Sequence, residues 1–190
     1  MNQQKQIEIK SMFSTPLGVV DTSIDTSLIK EYVLALNYES VNKSNLGGWQ
    51  SPQLTQADIE NTPLEVIVKT ILEVFGQVNN AFPTNSVNVI SNMWLNVNKK
   101  GNSNCRHTHG RSTWSGTFYI STPKDCGNFV AERADNADLV WNMDNKSEFT
   151  TVSNQIEPKE GLLIFFPSWM PHLVLPSNSD KPRISLSFNM

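Results

Sequence analysis

Gly161-Leu162-Leu163-Ile164-Phe165-Phe166-Pro167-Ser168-Trp169-Met170-Pro171-His172-Leu173-Val174-Leu175 carries a plain two-strand signal. A short apolar run opens on a glycine and stops at a proline, and a second short apolar run begins at His172. Runs of this length, bounded by Gly and Pro, read as strands rather than helices. Two prolines and two bulky side chains stiffen the connection between them. The same pattern continues in both directions. Val87 to Val97, Trp114 to Ser121, Asn128 to Arg133, Val152 to Ile156 and Arg183 to Phe188 are further strands, separated by Pro, Gly, Asn and Asp clusters and by the turn Asn98-Lys99-Lys100-Gly101-Asn102. About eight short strands from residue 86 onward fit an antiparallel jelly roll, a double sheet around a tapered cavity.

The amino-terminal part, residues 1–85, reads helical and completes a single domain of 190 residues. Asp25 or Thr26 can cap a helix that presents Ile29, Val33 and Leu36 on one face. Thr62-Pro63-Leu64-Glu65 has the form of a capping box, and Leu64, Ile67, Val68, Ile71, Leu72, Phe75 and Val78 follow at helical spacing. These helices are expected to pack outside one sheet of a mainly β protein. Asn45 to Pro52 reads as a loop, with Trp49 as a packed anchor or a pocket cover.

Composition narrows the function classes. A net charge of −3 with no basic face argues against general nucleic-acid binding. No apolar run reaches a membrane span, the polar start lacks the core of a signal peptide, and two cysteines make no disulfide framework. A reducing cytoplasm is the expected setting. Oligomeric state stays open, a homo-oligomer included.

All three histidines fall in two segments, Arg106-His107-Thr108-His109 and Trp169-Met170-Pro171-His172. Residues two apart on a strand share a face, with Cα atoms about 6.5–7 Å apart, so His107 and His109 can chelate one ion. His172 would approach from a distant strand. Imidazole suits Fe, Zn, Cu and Ni alike. Cys105 is a conceivable fourth donor, although buried thiols more often only pack. In Arg183-Ile184-Ser185 a guanidinium and a hydroxyl share one strand face. That pair is a receptor for a carboxylate, unless Arg183 is simply exposed after the Asp180-Lys181-Pro182 turn.

Several segments together resemble the iron(II)- and 2-oxoglutarate-dependent dioxygenases, most closely a small bacterial and phage group. They are His107-Thr108-His109, Ser115-Gly116-Thr117-Phe118-Tyr119, Pro158-Lys159-Glu160-Gly161, Phe166-Pro167-Ser168-Trp169-Met170-Pro171-His172, Arg183-Ile184-Ser185 and Phe188-Asn189. The resemblance covers roughly Asn88 to Met190. It implies a double-stranded β-helix, Fe(II), 2-oxoglutarate and molecular oxygen, with a cytoplasmic location in a bacterial or phage-infected cell. It further implies that Arg183 and Ser185 grip the far carboxylate of 2-oxoglutarate. Tyr119 is a candidate hydrogen-bond donor to that cosubstrate or a packing aromatic; Asn96, on one strand face with Trp94, is a candidate pocket residue.

One position departs from the superfamily pattern. The usual 2-His-1-carboxylate face places Asp or Glu where this chain has His109. Either His107, His109 and His172 form a three-histidine face, or a carboxylate comes from elsewhere, with Glu132 the best candidate. Three neutral ligands leave Fe(II) its full dipositive charge, whereas a carboxylate lowers it. Two other functions compete. A cupin-like metal enzyme without 2-oxoglutarate accounts for the histidines but not for Arg183-Ile184-Ser185. A non-catalytic jelly-roll module accounts for neither. The substrate, a small molecule or a side chain, is not legible.

Overall fold

In the computed structural model, which describes residues 7–84, 87–135, 147 and 149–190, two antiparallel sheets face each other. The six-stranded sheet runs in the order β1 (Gly18–Asp21), β9 (Leu162–Pro167), β6 (Trp114–Ser121), β11 (Arg183–Asn189), β4 (Asn92–Asn98) and β3 (Trp49–Gln50). The five-stranded sheet runs β2 (Asn45–Leu46), β5 (Ser103–His107), β10 (His172–Val174), β7 (Phe129–Glu132) and β8 (Ser153–Ile156). Three helices, α1 (Ser27–Ala35), α2 (Gln56–Ile59) and α3 (Glu65–Ala81), belong to the first half of the chain.

The period-two alternation of strands explains why β9 is apolar throughout. Leu163 and Phe165 point to the helical side, into a core with Ile67, Ile71 and Phe75 of α3 and Ile29 and Val33 of α1. Leu162, Ile164 and Phe166 point between the sheets, where they join Tyr119, Phe129, Ala131 and Met170. β11 divides likewise. Ile184, Leu186 and Phe188 face the helices, and Arg183, Ser185 and Ser187 face the space between the sheets. β4 contributes Leu95 to the helical core and Trp94 and Asn96 to the inner face. The large sheet is therefore oily on its outer side, while its inner side is apolar along β9 and polar along β11 and part of β4.

Several sequence expectations need correction. Residues 1–85 are not purely helical: β1 pairs with β9, and β2 and β3 in the expected 45–52 loop add a strand to each sheet. Four-, two- and two-residue strands are too short to show a hydrophobic period. The capping box is formed one helix earlier, where Thr55 and Asp58 bond reciprocally at the start of α2. Thr62 instead turns its hydroxyl to the carbonyl of Ile59 at 2.8 Å and does not cap α3. The stretch from Val87 becomes a strand only at Asn92. Trp49 is a loop anchor, its indole N–H donating to the Tyr38 carbonyl at 3.0 Å.

Candidate metal centre and cosubstrate cleft

His107 ends β5 and His172 opens β10, and the two are register partners in the small sheet. His109 lies two residues beyond the end of β5, not on the strand as its spacing suggests; its backbone N–H is fixed by the Ser168 carbonyl at 2.8 Å. One ligand atom from each of the three rings falls within 4.8 Å of the others. The His107 and His172 ring centres are 4.3 Å apart, and those of His109 and His172 are 5.1 Å apart and stacked.

The hydrogen bonds of the rings set which nitrogen is available. His107 Nδ1–H donates to the Cys105 carbonyl at 2.7 Å, and His172 Nδ1–H donates to the Met170 carbonyl at 3.0 Å. A neutral ring that donates from Nδ1 keeps its lone pair on Nε2, the form a metal needs. His109 Nε2 approaches His172 Nε2 at 3.3 Å. Without an ion, His109 supplies the one hydrogen of that contact; with an ion, both lone pairs turn to it. Phe129 and Phe166 flank His172, which is buried.

Burial keeps all three rings neutral. It pushes His109 down to about 4 and His172 down to about 3, the latter aided by His107, and lowers His107 as well. The sign of the stability effect follows. The unfolded chain protonates these rings near the ordinary value of 6.5, whereas the fold resists until far lower pH. Stability is therefore full above about pH 6.5 and falls on acidification, at a slope approaching about 2–3 kcal/mol per pH unit for two rings. The metal-free protein should melt at a steadily lower temperature between about pH 7 and 5, where few other groups titrate. A flat thermal-unfolding profile across that window would mean the rings are not buried neutral.

Beyond the histidines a narrow cleft runs between the sheets. Asn96, Tyr119, Arg183 and Ser185, all expected on sequence grounds, line it together with Thr117 and Ser187. Ser185 pairs in register with Asn96 on one side and Tyr119 on the other, so three of these side chains form a single row. Arg183 is 3% exposed. Its Nη1 donates to the carbonyls of Cys126 and Gly127, and burial lowers its pKa. Among the described residues no carboxylate pairs with it, and an unpaired buried guanidinium is costly. Burial raises the Tyr119 phenol, which stays protonated and able to donate. Asn96 donates to Ser187 at 3.2 Å, while its Oδ1 is buried without a partner.

Glu132 lies elsewhere: its carboxylate accepts from Arg106 Nε at 2.5 Å, and it is not part of the histidine group. Cys105 is likewise absent from that group, though it borders a second, outer cleft with His107 and His109. Trp94 lines both clefts, Trp114 is core, and Trp169 is half exposed on the turn before His172. Of the expected loop Asp135 to Ser147, residues 136–146 lie outside the described ones. Thr117 and Ser187 escaped the sequence reading, although strict alternation from Tyr119 and Ser185 places both on the inner face.

A double sheet holding a histidine cluster beside a buried arginine defines a class, the metal-dependent double-stranded β-helix proteins. Comparison with known proteins then gives the family. Residues 92–189 match the family described as "Putative 2OG-Fe(II) oxygenase". That span is more than half of the chain, and the protein belongs to this family. No curated protein sequence matches. Among solved structures, a Pseudomonas putida prolyl-4-hydroxylase is similar with a TM-score of 0.66 at 15% identity, covering 93% of both chains. HygX from Streptomyces hygroscopicus, solved with nickel and 2-oxoglutarate, is similar with a TM-score of 0.62 at 11% identity, covering 92% of this chain and 82% of that one. The collagen prolyl hydroxylase of Paramecium bursaria Chlorella virus-1 is similar with a TM-score of 0.60 at 14% identity, covering 90% and 94%. At these identities the likeness is one of fold, the double-stranded β-helix. The protein is an oxidoreductase of the 2-oxoglutarate oxygenase type, with Fe(II), 2-oxoglutarate and molecular oxygen as its reactants and cofactor. Among the described residues no helix is long and apolar enough to cross a membrane.

Proposed function

We propose that the protein is a hydroxylase in which His107, His109 and His172 hold the iron and Arg183 and Ser185 hold 2-oxoglutarate by its far carboxylate. The observation that carries this reading is the convergence of three imidazoles in the cleft that also buries Arg183. The donor set fits a divalent transition metal: three neutral nitrogens, two of them with Nδ1–H already committed to carbonyls. When bound, iron supplies the activation of dioxygen at the expense of 2-oxoglutarate, which leaves as succinate and carbon dioxide.

The chain's own residues bind, orient and exclude water. Arg183 is pinned through Nη1, which leaves the rest of its fork for a carboxylate. The Ser185 hydroxyl, on the same strand face, adds a second contact. Tyr119 donates from a phenol that burial keeps protonated. Asn96 can turn its amide so that N–H faces the cleft while C=O accepts from Ser187. Phe129, Phe166 and Val174 make the cleft wall near His172 apolar. The outer cleft, about 510 Å3 and lined by Lys43, Gln50, Gln53, Asn92 and Trp94, opens onto His107 and His109 and is the substrate entrance. A small molecule or a protein side chain fits that description.

The test is spectroscopic. Metal-free protein given Fe(II) and 2-oxoglutarate under nitrogen should develop a weak visible charge-transfer band. Arg183→Ala should lose the band while keeping iron. A band of unchanged strength in that variant would remove Arg183 as the carboxylate clamp, and iron binding without any band would favour a cupin-like enzyme.

A further inference from the structure

Three polar residues of the recurrent segments stay unexplained by metal or cosubstrate binding: Ser115, Ser168 and Asn189. All are buried, at 1%, 0% and 6% exposure. The structure brings them into one chain of hydrogen bonds. Ser115 Oγ–H donates to Asn189 Oδ1 at 2.6 Å. With its only hydrogen used, Ser115 must accept from Ser168 Oγ–H, 2.7 Å away. Asn189 Nδ2–H then donates to Asn92 Oδ1 at 2.7 Å. The knot thus ties β6, β11 and β4 to the turn after β9.

That turn bonds to two of the three histidines, to the backbone of His109 and to the ring of His172. The Ser168 carbonyl accepts from the His109 backbone N–H at 2.8 Å, and its own N–H donates to the Thr113 carbonyl at 3.0 Å. Two residues on, the Met170 N–H donates to the Pro167 carbonyl at 2.9 Å, which closes the turn. The Met170 carbonyl accepts from His172 Nδ1. His107 hangs on a different support, the Cys105 carbonyl.

Resting on the three-histidine reading, we propose that Ser115, Ser168 and Asn189 are positioning residues of the metal centre: their buried knot fixes the Pro167–Met170 turn, whose carbonyls orient His109 and His172. A buried chain of hydroxyl-to-hydroxyl-to-amide bonds is polarised along its length and costly to break at one point. Its geometric tolerance is small, because each donor has one acceptor within reach. The knot converts the rigidity of the large sheet's central strands into the placement of imidazoles on the opposite sheet.

The experiment measures Zn(II) affinity by chelator competition, the visible spectrum of the Co(II) protein and thermal unfolding of the metal-free chain, all on the full-length protein. Ser115→Ala should bind Zn(II) about 10–100-fold more weakly and shift the Co(II) bands. Ile184→Val, on β11 but facing the helices, should lower the melting temperature and leave Zn(II) affinity unchanged. Ser115→Cys, close in size but a poor donor, substitutes if the alanine variant does not fold. The affinity loss from Ser115→Ala should persist in a His107→Ala background and shrink in a His109→Ala background, since the knot acts through His109 and His172. Wild-type affinity and spectrum in Ser115→Ala, or an equal loss in both backgrounds, would overturn the inference with the ligand assignment intact. Failure of the wild-type chain to bind Zn(II) or Co(II), or binding insensitive to all three histidines, would overturn the ligand assignment and this inference with it.

Discussion

His172→Ala should fold, bind iron at least about 1000-fold more weakly at neutral pH, and form no succinate above background. The size of the effect follows from the ring's position. On the three-histidine reading His172 is the most buried of the proposed ligands, flanked by Phe129 and Phe166, and its Nδ1 is already held by the Met170 carbonyl. Its removal would leave only His107 and His109 to hold the metal. The cost to the fold is separable and smaller. It comprises a modest cavity plus the Met170 carbonyl losing its donor, together about 1–3 kcal/mol. Loss of the 3.3 Å hydrogen bond between the His109 and His172 ring nitrogens is part of that cost. Metal analysis after anaerobic equilibrium dialysis, alongside a succinate assay, checks the result. Glu132→Ala is the companion measurement. Its carboxylate partners Arg106 in a half-exposed ion pair, so its loss should change stability by no more than about 1 kcal/mol and leave iron content as it was. Lost iron in Glu132→Ala would return the ligand set to the arrangement in which a carboxylate replaces one of the paired histidines, and full iron in His172→Ala would overturn both arrangements.

Legibility differed from part to part for physical reasons. The strands that make the cavity were readable because they are long enough to show a period or are buried on both faces, as Trp114–Ser121 and Leu162–Pro167 are. The amino-terminal strands were not, because Asn45–Leu46 and Trp49–Gln50 hold two residues each and gain their place from partners distant in sequence, Asn104 and Val97 among them. The histidines and Arg183 stood out as rare, chemically distinct residues; spacing could suggest that they converge, but only the fold brings them together. Spacing misjudged His109, whose place beyond the end of β5 is set by a backbone bond to Ser168. Serines and asparagines that knot strands together carry no such signature. Ser115, Ser168 and Asn189 are common residue types, and their meeting depends on the register of β6 against β11.

Gly127→Ala should be a severely damaging single-methyl addition to the cosubstrate side of the site. Gly127 has φ +87°, where an L side chain is strained by about 1–2 kcal/mol. A methyl there would stand 2.1 Å from the Leu175 carbonyl oxygen and 3.0 Å from Arg183 Nη1. The first of these neighbours is backbone and cannot swing aside: Leu175 N–H is bonded to the Asn128 carbonyl at 2.9 Å, and Asn178 N–H to the Asp125 carbonyl at 2.8 Å. The segment before β7 must therefore shift as a unit, and total destabilisation should reach about 3–5 kcal/mol. In a chain of this size that corresponds to a melting temperature lower by about 6–20 °C. The shift also moves the Gly127 carbonyl, one of the two that pin Arg183, so 2-oxoglutarate should bind more weakly to the Zn(II)-loaded variant even at a temperature where it is folded. Gly101→Ala separates the two causes. Gly101 has φ +81° but nothing within 4 Å of an added methyl, so it carries the backbone strain alone and should cost only about 1–2 kcal/mol, without effect on 2-oxoglutarate. Equal melting temperatures for the two variants would show that the crowding at Leu175 is relieved at no cost, and unchanged 2-oxoglutarate affinity in Gly127→Ala would show that Arg183 does not depend on the Gly127 carbonyl for its place.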